Sequence, residues 1–352
     1  MTHGDQQFRR QLIATSLPFI VDNLGHSQER TKSMNHTWRQ AGLIAALCFA
    51  SMAASASPQD SQASATAPAT WQPPAPLTQV PLWPEGQVIA RPPVTGPESV
   101  KNGATIENVT RPTMTVVPAR GPSTGTTVVV FPGGGFRVLA MDGEGTEICD
   151  WLTSKGITCV LLKYRVPNSG PQWDGSCDCR REPTVHMALQ DAQRAIRLIR
   201  QQASSLHVDP HKVGVIGFSA GGNMVADVSN ASGKNYAPVD EADTLSARPD
   251  FAMALYPGRL WEGKGVVLNP TLHITAKTPP TFLVQAEDDP VDNVRNSVTY
   301  FLALKEHGVP VEMHLYATGG HAFALRKKDM PIGAWPQLAE KWMQSIGMLP
   351  AG

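Results

Sequence analysis

Lys212 to Val228 reads KVGVIGFSAGGNMVADV, an apolar run rich in valine and isoleucine that breaks at Gly217-Phe218-Ser219-Ala220-Gly221 and passes directly into a helical pattern. A run of this kind is a strand buried on both faces. A GxSxG pentapeptide between such a strand and a helix forms a turn so tight that its middle residue is forced into strained backbone angles, and only small neighbours avoid collision with strand and helix. The turn lifts the Ser219 hydroxyl clear of the sheet. The helix N-terminus behind it offers free amide donors and a partial positive charge where an oxyanion develops. Without that context the pentapeptide is an ordinary glycine-rich turn; with it, Ser219 is the candidate nucleophile.

Outward from this turn, strands and helices alternate, the mark of an α/β domain around a mostly parallel sheet. Thr113 to Val117, Thr126 to Phe131, Thr158 to Lys163, Lys212 to Ile216, Phe251 to Tyr256, Thr281 to Gln285 and Val311 to Tyr316 read as strands. Helices are expected at Glu147 to Lys155, His186 to Gln202, after Ser219, before Gly308 and near Gln337 to Ile346. In the second of these, Leu189, Ala192, Ala195, Ile196 and Ile199 share one face, which assigns Arg194, Arg197 and Arg200 to solvent. In the helix before Gly308 the inward set is Val294, Val298, Phe301 and Leu302. No repeats occur, and the intervening segments are too short for a large lid domain.

A hydroxyl at neutral pH is a poor nucleophile unless a base takes its proton, and the base needs an orienting carboxylate. Both are available downstream at strand ends. Glu287-Asp288-Asp289-Pro290 follows the TFLVQ strand and Gly319-Gly320-His321-Ala322 follows the last one, so both emerge at the same sheet edge as Ser219. Among the carboxylates Asp289 is chosen over Asp288, with Asp292 third. His314 lies within a strand, and His186, His207, His211, His273 and His307 lack a comparable setting. Pro132-Gly133-Gly134-Gly135-Phe136 follows the TTVVVF strand. Its glycines let backbone amides approach a ligand, so Gly134 or Gly135 pairs with Ala220 as the candidate oxyanion donors.

Thirty Lys+Arg balance thirty Asp+Glu, so no whole-chain field favours nucleic acid, an anionic membrane or an acidic polymer. Charged residues amount to only 17% while Gly and Pro number 30 each, which speaks for turns and a linker and against a coiled coil. Arg39 to Ser57, RQAGLIAALCFASMAASAS, has the layout of a secretory signal, with Met34 as its start and residues 1–33 as an extension. Its apolar core is shorter than a bilayer span, so export to the periplasm or outside without a stable membrane anchor is expected. Residues 57–74, rich in Ser, Ala, Pro and Gln, read as a linker, and residues 75–352 as the catalytic domain. Cys149, Cys159, Cys177 and Cys179 would remain after cleavage, with one or two disulfides whose pairing is not readable. Cys177-Asp178-Cys179 reads as structural thiols or a bridge in preference to a metal site.

The chain resembles serine esterases of the α/β-hydrolase superfamily, and within it the secreted acetylxylan or feruloyl esterase-like group. The likeness is carried by PLWPEG from Pro81, FPGGGF, EGTEICDWLTSKGITCVLLKYRVP, DAQRAIRLIR, VGVIGFSAGGNM, AEDDPVDNVRNS and GGHAFAL up to Leu325, essentially everything after the linker. The resemblance implies an α/β-hydrolase fold with helices on both faces of the sheet. It also implies a Ser219, Asp289, His321 triad and an oxyanion hole at Gly134, Gly135 and Ala220. Two departures stand out: Pro132 opens the glycine loop where a lipase-like branch has histidine, and Asp292-Asn293 stands where relatives have an apolar residue and proline. The expected reaction is hydrolysis of short-chain or carbohydrate-linked acetyl or feruloyl esters through an acyl-enzyme, with no metal or cofactor. The base, His321, is expected to titrate near the imidazole reference of about 6.5. Phe136 and Trp173, the latter in the long loop from Pro167 to Pro183, are the candidate substrate contacts. Two rival readings share parts of this pattern. A prolyl-oligopeptidase-like peptidase shares the residue order but would carry a propeller, for which the stretch before Gly133 is too short. A non-catalytic binding protein on the same fold would lose a member of the triad.

Overall fold

A computed structural model describes residues 70–351 except Val88 and Asp178. The extension, the signal pattern and most of the linker lie outside the described residues. Trp71, at the linker's end, is half-buried and packs on the hydrophobic core.

Eight strands form the main sheet: β1 (Val80–Pro81), β2 (Thr113–Val117), β3 (Thr127–Phe131), β4 (Thr158–Lys163), β5 (Val213–Phe218), β6 (Phe251–Leu255), β7 (Thr281–Ala286) and β8 (Val311–Tyr316). Their spatial order is β1-β2-β4-β3-β5-β6-β7-β8. β2 is antiparallel to both β1 and β4, and every pair from β4 onward is parallel. The helices are α1 (Glu147–Ser154), α2 (Met187–Gln201), the short α3 (Ala203–Leu206), α4 (Ala220–Asn230), α5 (Arg295–Glu306) and α6 (Trp335–Ser345). They cover both faces of the sheet. A sheet covered in this way needs apolar side chains on both sides of each strand; Val128 to Phe131 and Phe251 to Leu255 are accordingly fully buried. Each valine, leucine, methionine or phenylalanine among them contributes about 1.5–3 kcal/mol.

Because β3, β5, β6, β7 and β8 run parallel, the loops leaving their carboxyl ends gather along one edge. Pro132 to Phe136, Ser219, Tyr256 to Arg259, Glu287 to Asp292 and the loop carrying His321 all follow such ends directly. Two small sheets, one of Ser99–Lys101, Thr105–Glu107 and Val138–Ala140, the other a hairpin of Gln172–Asp174 and Cys179–Arg181, lie outside the main one. Their three-residue strands are too short to give a periodic signal. Cys149 bonds to Cys159 and Cys177 to Cys179, the second bridge closing the hairpin. The Cys177-Asp178-Cys179 segment is therefore a bridge.

Two helix faces differ from their sequence reading. Arg194 and Arg197 of α2 are buried, with 2% and 4% exposure. Chain segments from both sides close over them. Arg194 donates to Leu82 O and pairs with Asp240 and Asp243, Arg197 donates to Tyr236 Oη and Leu245 O, and Arg200 pairs with Asp250. A periodicity argument sees only one helix and misses polar partners brought in from elsewhere. On α5, Leu302 is exposed, and the buried set is Asn296, Ser297, Thr299, Tyr300 and Leu304. Hydrogen bonds decide its rotation: Asn296 Oδ1 accepts from the amides of Leu260 and Trp261, Ser297 Oγ donates to Gln285 Oε1, and Tyr300 Oη accepts from Asn230 Nδ2.

The N-terminal segment is fastened through a buried pair. Arg165 and Asp191, both with fully buried side chains, meet at 2.8 Å. Asp191 also accepts from Trp83 Nε1 at 2.9 Å and the Arg165 amide at 2.9 Å, while Arg165 reaches Ala90 O and Met187 O. Every polar group is satisfied, so removing one partner leaves the other charge stranded. Asp191→Ala is expected to destabilise the protein by about 3–5 kcal/mol, read as a lower denaturation midpoint; an unchanged midpoint would contradict this.

Candidate active site

Ser219 sits at φ 53° and ψ −116°, between β5 and α4. Few L-residues adopt such angles, and surroundings that permit no other path hold it there. A Cβ on Gly217 would lie 2.1 Å from Gly221 O, and one on Gly221 would lie 2.0 Å from Phe131 O. The turn therefore requires glycine on both sides of the serine. The Ser219 amide donates to Leu255 O at 3.1 Å, tying the turn to β6.

His321 reaches this serine from the loop after β8. Ser219 Oγ lies 3.0 Å from His321 Nε2, and His321 Nδ1 lies 2.8 Å from Asp289 Oδ2. Asp289 is fixed in turn by Gln285 Nε2 and by the amides of Val291 and Asp292. Burial raises its carboxyl, but the His321 bond and these two amides outweigh it and hold Asp289 below the usual carboxylate range. Asp288 faces the other way, accepting from the amides of Gly319 and Gly320 and so shaping the loop that presents the imidazole. The sequence-chosen serine, histidine and carboxylate thus form one hydrogen-bonded chain.

Gly134, at φ 126°, carries no room for a side chain, since a Cβ there would lie 2.2 Å from Val138 O. Gly134 and Gly135 line the same cavity as Ser219, and the Ala220 amide, first in α4, has no acceptor within its helix. The loop is anchored by residues that sequence reasoning did not single out. Buried Glu144 accepts from the Gly133 amide and from Tyr256 Oη, each at 2.8 Å, and Tyr164 Oη donates to Pro132 O. Burial pushes the Glu144 carboxyl up despite those two bonds. An acid between glycines, as in Asp142-Gly143-Glu144-Gly145, just beyond the glycine loop was the available signal. Tyr256 also packs its ring edge-on to His321 at 5.0 Å.

The cavity over Ser219 has a volume of about 740 Å³ and is open to solvent. Its walls include Trp173, Trp261, Arg180, Arg259, Asp292 and Asn296. Trp173 is 60% exposed at the rim, on the disulfide-closed hairpin that also brings in Arg180. Phe136, expected at the substrate surface, is instead 1% exposed and does not line the cavity. Its φ of 58° turns the ring beneath the loop against Tyr164 and Gly170, where it supports the Arg259 guanidinium at 5.3 Å. Asp292 points inward, its Oδ2 3.3 Å from Ser219 Oγ and 3.9 Å from His321 Nε2. Burial raises its carboxyl, with His321 and Arg259 opposing and Asp289 reinforcing.

Sheet order, strained serine turn and strand-end loops define an α/β-hydrolase. The family model for the prolyl oligopeptidase family matches residues 147–346, and the chain belongs to that family. It is 26% identical over 249 residues to an acetylxylan esterase of Xylanibacter ruminicola, covering 63% of this chain and 45% of the relative. It is 27% identical to endo-1,4-beta-xylanase B of Butyrivibrio fibrisolvens, covering 58% and 34% respectively. The chain thus spans less than half the length of these curated relatives. The crystal structure of an acetyl ester-xyloside bifunctional hydrolase from Caldicellulosiruptor lactoaceticus superposes with a TM-score of 0.62 at 31% identity, over 77% of this chain and 97% of that one.

The electrostatics amend one expectation. Burial alone lowers the His321 pKa, but the Asp289 hydrogen bond and the charges of Asp289, Asp292 and Glu144 outweigh it and raise it above the ordinary 6.5. An imidazole must be neutral to accept a proton, so with His321 in the role of base that the sequence assigns it, activity is expected to fall as pH drops through this raised value. The acidic limb of kcat/KM is expected above about 6.5, and Asp292→Asn is expected to move it down. A limb below 6.5, or one that Asp292→Asn moves up, would contradict the reading.

Proposed function

We propose that this chain is an exported serine ester hydrolase acting on acetylated or otherwise acylated carbohydrate through an acyl-enzyme. The observation that carries the reading is the chain of hydrogen bonds from Ser219 through His321 to Asp289, ending on a serine held at a positive φ. Ser219 attacks the ester carbonyl while His321 takes its proton. Asp289 keeps the imidazole in the tautomer that presents a free Nε2. The amides of Ala220 and Gly134 or Gly135 receive the oxyanion, His321 returns the proton to the leaving alcohol, and water releases the acid by the same route in reverse.

The substrate class rests on the cavity and the relatives together. The site is broad and solvent-open, with Trp173 and Trp261 offering flat apolar faces and Arg180, Arg259 and Asp292 offering hydrogen bonds. That mixture suits a sugar ring better than a long acyl chain, and relatives named for acetylxylan and xylan degradation support it. Residues 75–352 form the catalytic domain in this reading. Two disulfides within the fold support an oxidising destination and hence the signal pattern at residues 34–56. No helix among the described residues is long and apolar enough to cross a membrane.

Membership of a family named for peptidases keeps amide hydrolysis as the competing activity. Ser219→Ala is expected to lower kcat on p-nitrophenyl acetate and on acetylated xylan by at least about 10⁴-fold, with thermal unfolding unchanged. Turnover of a prolyl-peptide anilide exceeding turnover of these esters, or esterase activity that survives the substitution, would overturn the proposal.

A further inference from the structure

Asp292 occupies a position that the hydrolytic scheme above does not use. The turn before α5 curls because Asp289 Oδ1 accepts the amides of Val291 and Asp292, and this throws the Asp292 side chain over the serine. Its place is built into the opposite wall as well: a Cβ on Gly258 would lie 2.4 Å from Asp292 Oδ1, so glycine there admits the carboxylate. The side chain is 14% exposed and lines the cavity.

Ser219 has one hydroxyl proton and two acceptors for it, His321 Nε2 at 3.0 Å and Asp292 Oδ2 at 3.3 Å. The arrangement that starts the reaction directs that proton to His321. Among the described residues no other group donates a hydrogen bond to the Asp292 carboxylate, so only water in the open cavity can then do so, and a substrate that displaces this water leaves the carboxylate unpaired, at a cost in free energy, unless it brings a donor of its own. Protonated His321 lies 3.9 Å from Oδ2 and offers its charge. Its Nε2 proton, however, is directed at the leaving oxygen.

The position of the leaving group follows from the same atoms. His321 Nε2 delivers the proton to the leaving alcohol, so that oxygen comes within hydrogen-bond reach of Nε2, beside Asp292 and away from the amides of Ala220, Gly134 and Gly135. The leaving oxygen carries no proton of its own. The nearest donor the substrate can supply is a hydroxyl on the adjacent carbon. We infer that Asp292 is a specificity-determining residue that selects esters whose alcohol carries a free hydroxyl next to the ester-bearing carbon, as in a partly acylated sugar diol. A hydroxyl both donates and accepts, so it satisfies Asp292 as carboxylate or as acid. No covalent step is added: the neighbouring hydroxyl forms a hydrogen bond and keeps its proton.

The inference rests on the ester-hydrolase reading, and its test separates the two. Rates of 2-hydroxyethyl acetate and 2-methoxyethyl acetate are compared, each divided by its rate of hydrolysis by hydroxide, with p-nitrophenyl acetate as a third substrate lacking the hydroxyl. The wild type is expected to prefer the hydroxyethyl ester by about tenfold or more in kcat/KM, as for a hydrogen bond to a charged group, with the preference mainly in kcat. Asp292→Val brings the ratio near one. Asp292→Asn, which keeps shape and hydrogen-bonding capacity, retains part of it. The ratio within one variant is independent of the fraction of folded enzyme, and if the valine variant does not fold, the wild-type and asparagine ratios decide. A wild-type ratio near one, or a ratio unchanged in the variants, overturns the inference while turnover of p-nitrophenyl acetate leaves the esterase standing. Failure on all three esters removes both.

Discussion

The structure depends on one backbone constraint, the positive φ of Ser219 in the crossing from β5 to α4. Parallel pairing with β3 and β6 fixes the end of β5, and α4 begins at the very next residue, so the chain has a single residue in which to reverse. Strain at that residue persists because glycine at 217 and 221 lets strand, turn and helix approach to within distances that no side chain would allow. The same turn places Ser219 on the cavity wall and leaves the α4 amide without an acceptor. The proposed nucleophile and oxyanion donor are therefore one structural event, and the imidazole, the carboxylates and the glycine loop are arranged around it.

Three carboxyl groups surround the imidazole, and burial raises all of them before their partners act. In Asp289 hydrogen bonds from His321 and two amides prevail, which leaves it ionised and able to hold the ring. In Glu144 burial prevails although it holds Gly133 and Tyr256. In Asp292 burial also prevails over the charges of His321 and Arg259, and the one hydrogen bond it accepts is a long one from the serine. The division follows the number and quality of donors each receives. It separates a carboxylate that holds the imidazole from one that braces the glycine loop and one that faces the cavity.

Much of this was legible in the residues themselves. The strands at 113–117, 158–163 and 311–316 fall where their β-branched and apolar runs fall, and 158–163, buried on both faces, announces itself without reference to a partner. Ser219, Asp289 and His321 could be ranked because each directly follows a parallel strand, and topology then brings strand ends together. What could not be read depends on partners distant in sequence. Arg194 and Arg197 are buried because Leu82 O, Asp243 and Tyr236 reach them from other segments. The rotation of α5 is set by Leu260 and Trp261 amides, and Phe136 lies beneath its loop because a positive φ reverses its direction. The inward turn of Asp292 needs both its own turn and the missing side chain of Gly258.

The most direct measurement of the central claim is covalent capture of the serine. Purified protein is treated with a fluorophosphonate, and the modified residue is located by peptide mass spectrometry in the wild type and in His321→Ala. The account predicts one equivalent of label on Ser219 in the wild type and labelling slowed by orders of magnitude in the variant. Label on another residue, or equal labelling of Ser219 without the imidazole, would contradict it.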